Sequence, residues 1–293
     1  NDGPLAGREG DKVQSRVIRE RLLREAEGNV AIRVTPGEDN DSFDVAGRGE
    51  LQLAVLIENM RREGFELTIG RPRVLFKEEN GQRMEPVEEV IIDVDDEFTG
   101  AVVQKLTERR GELTDMRPSG TGRTRLRLLV PTRALIGYQP ELLSDTRGTA
   151  IFNRLFHSFV PYKGDLPGRR TGVLISNGTG QAVAYALWNL EDRGPMMIDP
   201  GTDVYEGMIV GEHSRDNDLE VNVLKGKQLT NIRTTSKDEA VRLTPPKKLT
   251  LEQSLGYIAE DEYVEVTPKS IRLRKIWLDP NERKKQSRAA KSA

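Results

Sequence analysis

Three acidic clusters, two histidines and one polar, cationic stretch are the residues whose types and spacing could do chemistry. The clusters are Asp93/Asp95/Asp96/Glu97, Glu38/Asp39/Asp41 and Glu260/Asp261/Glu262. Paired carboxylates can divide general acid and general base work between them. Each cluster, however, falls at an expected strand end or turn, where solvated acids are common. Asp39-Asn40-Asp41 starts like a calcium loop but lacks the glycine at loop position six and the closing glutamate. His157 and His213 are far apart and neither has metal-ligand spacing to a partner. There are no cysteines, which removes disulfides, thiolate nucleophiles and cysteine zinc sites together and fits a reducing compartment. Gly120-Thr121-Gly122 and Gly178-Thr179-Gly180 do not continue into Gly-Lys-Ser/Thr and a helix, so they read as hairpin turns and not phosphate cradles. No Gly-x-Ser-x-Gly elbow is present. The reading is therefore no catalytic residue and no metal ligand.

The cationic stretch is different. Lys225, Lys227, Gln228, Thr230, Asn231, Arg233 and Lys237 form a run of cations, amides and hydroxyls with few apolar anchors, and Lys247 and Lys248 follow it. Such a run can track a phosphate backbone while its amides and hydroxyls reach bases or 2′-hydroxyls. Composition alone favours the plainer reading, a solvated surface loop. A secondary basic surface is expected from Arg61, Arg62, Arg71 and Arg73, and from Arg272, Arg274 and Lys275 in a tail. That tail, 269–291, holds nine cations against two acids. The formal charge of the chain is only -2, so any RNA contact has to come from such local patches.

Length and periodicity say what must position these groups. At 293 residues the chain exceeds one ordinary core, and two or three domains are expected. No apolar run approaches the roughly 18 residues that cross a bilayer, and no signal segment opens the chain. The start at Asn1 reads as that of a fragment. Residues 1–80 read as helix, strand, strand, helix, strand. Val17, Ile18, Leu22, Leu23 and Ala26 stripe the first helix, and Val30, Ile32 and Val34 alternate after it. Leu53, Leu56, Ile57 and Met60 sit at helical spacing before the stop at Gly64, and Phe65, Leu67 and Ile69 alternate beyond it. This is a ferredoxin-like βαββαβ order whose first strand is absent or truncated. Residues 81–163 repeat the order with the first strand in place. Residues 164–293 read as mostly β, with a small barrel, one capping-box helix at Thr250-Leu251-Glu252-Gln253 and a disordered end from Lys284. The fold class is α+β.

Several runs resemble the BipA/TypA translational GTPases. Gly47-Arg48-Gly49-Glu50-Leu51-Gln52-Leu53, Arg61-Arg62-Glu63-Gly64-Phe65-Glu66-Leu67 and Arg71-Pro72-Arg73-Val74 are similar to that family's third domain. Gly111-Glu112-Leu113 and Arg133-Ala134-Leu135-Ile136-Gly137-Tyr138 are similar to its fifth. Trp188-Asn189-Leu190-Glu191-Asp192-Arg193-Gly194, Val204 to Gly211, His213-Ser214-Arg215 and Leu229-Thr230-Asn231-Ile232-Arg233 resemble its C-terminal domain. The resemblance implies that GTP and Mg²⁺ belong to an N-terminal half outside this chain, which itself needs no cofactor and is not catalytic. It implies ribosome binding, with large-subunit rRNA and A-site tRNA as partners, in a cytoplasmic monomer that also contacts its own GTPase domain. Subunit assembly, cold growth, stress and virulence regulation come with the family. Against that background the Lys225–Arg233 run becomes an RNA contact, while Trp188 and Tyr205 are expected in the core. Two other readings stay open: the distal half of an elongation factor G relative, and a stand-alone enzyme using an acidic cluster.

Overall fold

The computed structural model describes residues 1–39, 41–226 and 242–292, the last three by backbone only. Residues before 72 supply α1 (Ser15–Gly28), β1 (Arg33–Pro36), β2 (Phe43–Ala46), α2 (Glu50–Arg62) and β3 (Leu67–Ile69). The middle of the chain supplies β4 (Lys77–Glu79), β5 (Gln82–Asp95), α3 (Thr99–Glu108), β6 (Glu112–Pro118), β7 (Arg123–Pro131), α4 (Thr132–Leu135), α5 (Tyr138–Asp145) and β8 (Ile151–Pro161). Then come β9 (Val173–Ser176), β10 (Gly180–Gln181), α6 (Ala184–Leu190), β11 (Asp203–Val204), β12 (Met208–Glu212) and β13 (Leu219–Val221). The chain closes with α7 (Leu251–Tyr257), β14 (Glu262–Val266), β15 (Ile271–Lys275) and α8 (Pro280–Ser292).

These elements make two compact units, 72–168 and the combination of 1–71 with 169–293. The middle unit carries the expected βαββαβ order. Its strands pair antiparallel in the order β8-β5-β7-β6, and the hairpin strand β4 joins the start of β5. Val90, Ile92, Leu126 and Leu128 alternate along the two central strands and are wholly buried under Leu106 of α3 and Leu142 of α5. Each such side chain contributes about 1.5–3 kcal/mol by leaving water. The second helical segment of the βαββαβ order is split into α4 and α5, with Gly137 at φ 71° between them.

The first and last stretches form one body, so the expected boundaries at 80/81 and 163/164 move to 71/72 and 168/169. Among the described residues, 1–71 do not close a ferredoxin-like sheet of their own: β1 and β2 pair only with each other there, and β3 instead extends a six-stranded sheet in the order β13-β9-β12-β15-β14-β3. Residues 1–10 make turns, and Lys12 forms only an isolated parallel bridge to Phe65. The physical reason lies in Glu66, which alternation places on the solvent side of its strand. Glu66 is 1% exposed, and its carboxylate accepts the backbone N–H groups of Gly7 (2.6 Å), Glu9 (2.9 Å) and Gly10 (2.6 Å). The N-terminal segment is thus held where a solvated strand face was expected.

The six-stranded sheet is covered on both faces. Val173, Ile175, Val264 and Leu273 meet α7 and Ala54 of α2 on one side, while Leu174, Val210 and Val221 meet Leu187 of α6 and Tyr205 on the other. Among the described residues it is an open sheet and not the small barrel expected. Its edge beyond β14 is taken by β3, which arrives from a distant part of the chain. The capping box forms as read: Gln253 N–H donates to Thr250 Oγ1 at 3.3 Å, and Thr250 N–H donates to Gln253 Oε1 at 2.9 Å. Two local expectations change. The apolar run Ala182–Leu187, inside the stretch read as mostly β with one helix, contains the start of a second helix, α6. The tail read as disordered is α8, opened by Asp279, whose Oδ1 accepts N–H from Asn281 (2.7 Å) and Glu282 (3.0 Å).

Candidate nucleic-acid interface

Lys225 stands exposed at the point where the described chain stops at Gly226, before resuming at Arg242. Lys227, Gln228, Thr230, Asn231, Arg233 and Lys237 lie outside the described residues. Both flanks of that interval are pinned to the same small region. On the near side, β13 runs into Val223, whose carbonyl accepts the N–H of Val183 at 3.0 Å, and Asn222 Oδ1 accepts the N–H of Leu224 at 2.9 Å. Leu224 then packs on Gly178 and Gly180, where an added Cβ would sit 3.1 and 3.2 Å from its methyl groups. This close approach is what the Gly-Thr-Gly turn provides. On the far side Leu243 packs on the same core, Thr244 N–H donates to Glu191 Oε1 at 2.6 Å, and Lys247 N–H donates to Met196 O at 2.8 Å. α6 and the turn after it therefore hold both ends.

The remaining cations of the run are already partnered. Lys247 Nζ pairs with Glu212 at 2.6 Å, and Lys248 Nζ pairs with Asp199 at 2.7 Å. The Lys248 pair is well exposed, where an ion pair contributes about 0–1 kcal/mol and exchanges readily for another anion. In the secondary set, Arg61 donates to Thr267 O at 2.6 Å and pairs with Glu58, which Arg62 also reaches at 3.0 Å. Arg71 pairs with Glu260 at 2.9 Å, and Arg73 is exposed.

Arg272, Arg274 and Lys275 correct the expected basic surface. They are 8%, 1% and 2% exposed, because the register of β14 on β15 sets Glu265 opposite Arg272 and Glu262 opposite Lys275. Arg272 pairs with Glu265 and Glu9, and Arg274 with Glu265 and Asp2. Lys275 reaches Asp218 (2.6 Å), Asp261 (2.8 Å) and Glu262 (3.0 Å). Burial alone would push the Glu262 carboxyl up, but the Arg169 and Lys275 charges outweigh it and hold it below the ordinary value. The same balance, with burial opposing and acids prevailing, raises Lys275. These cations fasten the fold. The exposed cations of the tail, among the described side chains, are Lys269 in the turn before β15 and Lys284, Lys285 and Arg288 on α8.

Two of the three acidic clusters, those at 93–97 and 260–262, are likewise paired with cations. Asp93 takes both Nε and Nη2 of Arg125 at 2.8 Å, and these bonds hold its carboxyl below the usual range. Asp95 pairs with Arg123 at 3.4 Å, and Thr124 donates to Asp96 at 2.7 Å. Among the described residues no three His, Asp or Glu side chains converge in a way that would hold a metal ion. His157 is exposed beside Ser158, and His213 is buried with Nδ1 2.5 Å from Asn217 O. Tyr205 is buried as expected, 2% exposed. Trp188 is not: it is 48% exposed, one helix position past the buried Leu187. Reading Ala182–Leu187 as part of a mostly β stretch hid this, since helical phase on α6 would have turned Trp188 away from Leu187.

Comparison with known proteins follows the same division of the chain. The family model "Elongation factor G C-terminus" matches residues 82–170, and "TypA/BipA C-terminal domain" matches residues 171–280. Curated relatives match from end to end. The Bacillus subtilis (strain 168) protein named "Large ribosomal subunit assembly factor BipA" is 51% identical over 294 residues, covering 100% of this chain. The chain belongs to the BipA/TypA family. Proteins of the same name from Escherichia coli (strain K12) and Haemophilus influenzae are 52% and 50% identical over 99% and 100% of the chain. In each case the alignment spans 48% of the relative, so the chain spans about half the length of its BipA relatives and corresponds to their C-terminal half. No helix among the described residues is long and apolar enough to cross a membrane.

Proposed function

We propose that this chain is the ribosome- and RNA-binding portion of a BipA/TypA-type GTPase acting in large ribosomal subunit assembly, cytoplasmic and ribosome-associated. The observation that carries this reading is end-to-end identity near one half with proteins named for that assembly role. In this proposal the run from Lys225 to Lys237 contacts large-subunit rRNA and the A-site tRNA, with Lys247 and Lys248 able to exchange Glu212 and Asp199 for phosphate. GTP and Mg²⁺ act in the N-terminal half of the whole protein, and roles in cold, stress and virulence responses follow from assembly. The pinned flanks around Lys225 support the assignment, because they fix where both ends of the cationic run stand.

The test is association with isolated large subunits across a salt series. Replacing Lys225, Lys227 and Arg233 together with alanine should flatten the slope of log K against log salt by about 2–3, three phosphate contacts being lost. An unchanged slope with the fold intact refutes the site.

A further inference from the structure

Trp188 is the feature that the scaffold leaves unexplained. α6 buries Ala186 and Leu187, so its core contacts are complete without the indole, which stays 48% exposed. Tyr185 lies one turn before it, with ring centroids 6.4 Å apart and planes at 41°. A half-exposed indole on a helix is a cost to solubility that a polar residue would avoid. Its place in the fold is specific. The residue before α6, Val183, is bonded to Val223, two positions from exposed Lys225, and the residue after α6, Glu191, is bonded to Thr244. The aromatic pair therefore sits on the short element that fastens both flanks of the cationic run.

We propose that Trp188, with Tyr185 beside it, is a stacking platform for an unpaired RNA base whose neighbouring phosphate meets Lys225. The inference rests on the RNA-binding reading above and adds the chemical class of the contact, a nucleobase face. An aromatic plane on the element that anchors the root of an exposed cation offers the two contacts, base face and phosphate, that single-stranded nucleic acid recognises without regard to sequence. A protein partner fits less well. Half of an indole offers on the order of 120 Å², well short of the roughly 800 Å² that each side of a stable protein interface buries.

The test uses the whole chain and two fluorescent probes, a short oligo(rA) and an abasic ribose-phosphate strand of the same length. Trp188→Ala and Trp188→Leu should each weaken oligo(rA) binding about tenfold or more, Trp188→Phe should lose less, and binding of the abasic strand should not change. Trp277 is the second of two tryptophans. In a Trp277→Phe background, the remaining Trp188 emission should therefore be quenched by oligo(rA) and not by the abasic strand. If the Trp188 variants bind oligo(rA) like the parent while Lys225→Ala weakens both probes, the platform is refuted and the RNA reading stands. Equal losses for both probes would mean a structural role for Trp188 and also refute the platform. If the parent chain binds neither probe in a salt-dependent way, the RNA reading falls and the platform with it.

Discussion

Glu262→Gln probes the buried charge cluster that joins three parts of the larger unit. The Glu262 carboxylate is fully buried and receives four donors: Arg169 Nη1 (2.9 Å) and Nη2 (2.8 Å), Lys275 Nζ (3.0 Å) and the Ala259 N–H (2.9 Å). Glutamine keeps the shape but removes the charge and turns one oxygen into an NH₂ that faces two donors. Breaking a buried pair from one side costs about 3–5 kcal/mol. Lys275 keeps Asp218 and Asp261, which sets the expected loss at the low end, about 3 kcal/mol. For a body of this size that is a fall in Tm of about 6–12 °C. Urea unfolding at pH 7 should show a lower midpoint with an unchanged slope, while amide exchange in 72–168 serves as an internal control.

The pH dependence carries a sign. The folded pKa of Glu262 is depressed, so its contribution is present above the ordinary carboxylate value of 4.5 and is lost as pH falls through the folded value. Lys275 is raised, so its contribution is present below 10.5 and is lost as pH rises through the folded value. The gap between parent and Gln variant should therefore be flat from about pH 5 to 10 and close on the acid side. A loss below about 1 kcal/mol at pH 7, the value of a solvated surface pair, would refute the burial argument.

Two further outcomes are expected. Glu66→Gln should loosen residues 7–10, seen as faster amide exchange at Gly7, Glu9 and Gly10 together with a loss of about 2–4 kcal/mol from charge-assisted bonds; unchanged protection in the variant would show that the pairs of Asp2 and Glu9 with Arg274 and Arg272 hold the segment without Glu66. Tyr138→Phe should be neutral or slightly stabilising by denaturant midpoint, because the buried phenol oxygen has no hydrogen-bond partner among the described residues and burial has pushed its pKa up. A loss above about 1.5 kcal/mol would mean that the hydroxyl is bonded, for instance through a water.

What could be read from the chain was local. The period-two pattern of Val90, Ile92 and Val94 and the helical spacing of Val102 and Leu106 are core signals that the middle unit obeys, since strand face and helix stripe close on one core. The stop at Gly64 was equally legible: φ there is +92°, and the helix ends one residue earlier with Glu63 as its cap. Reading failed where a local pattern met a distant partner. Alternation puts Glu66 in water, yet three backbone amides from 7–10 draw it inside. Charge counting puts Arg272, Arg274 and Lys275 on a basic surface, yet cross-strand acids and Asp2 and Glu9 bury them. The Ala182–Leu187 run is too short for its period to separate helix from strand, and that ambiguity concealed Trp188.

The sequence by itself determined the family, the α+β class, the middle βαββαβ unit and the cationic run opened by Lys225, because each depends on residue type and near-neighbour spacing. Tertiary structure alone decided that β3 joins the C-terminal sheet, that Arg272, Arg274 and Lys275 are internal fastening, and that Trp188 lies exposed on the helix whose flanking residues anchor both sides of the cationic run. Those facts depend on which distant segments meet, as Glu66 meets Gly7 59 residues away and Asp2 meets Arg274 272 residues away. A charge becomes structural or available only when its partner arrives.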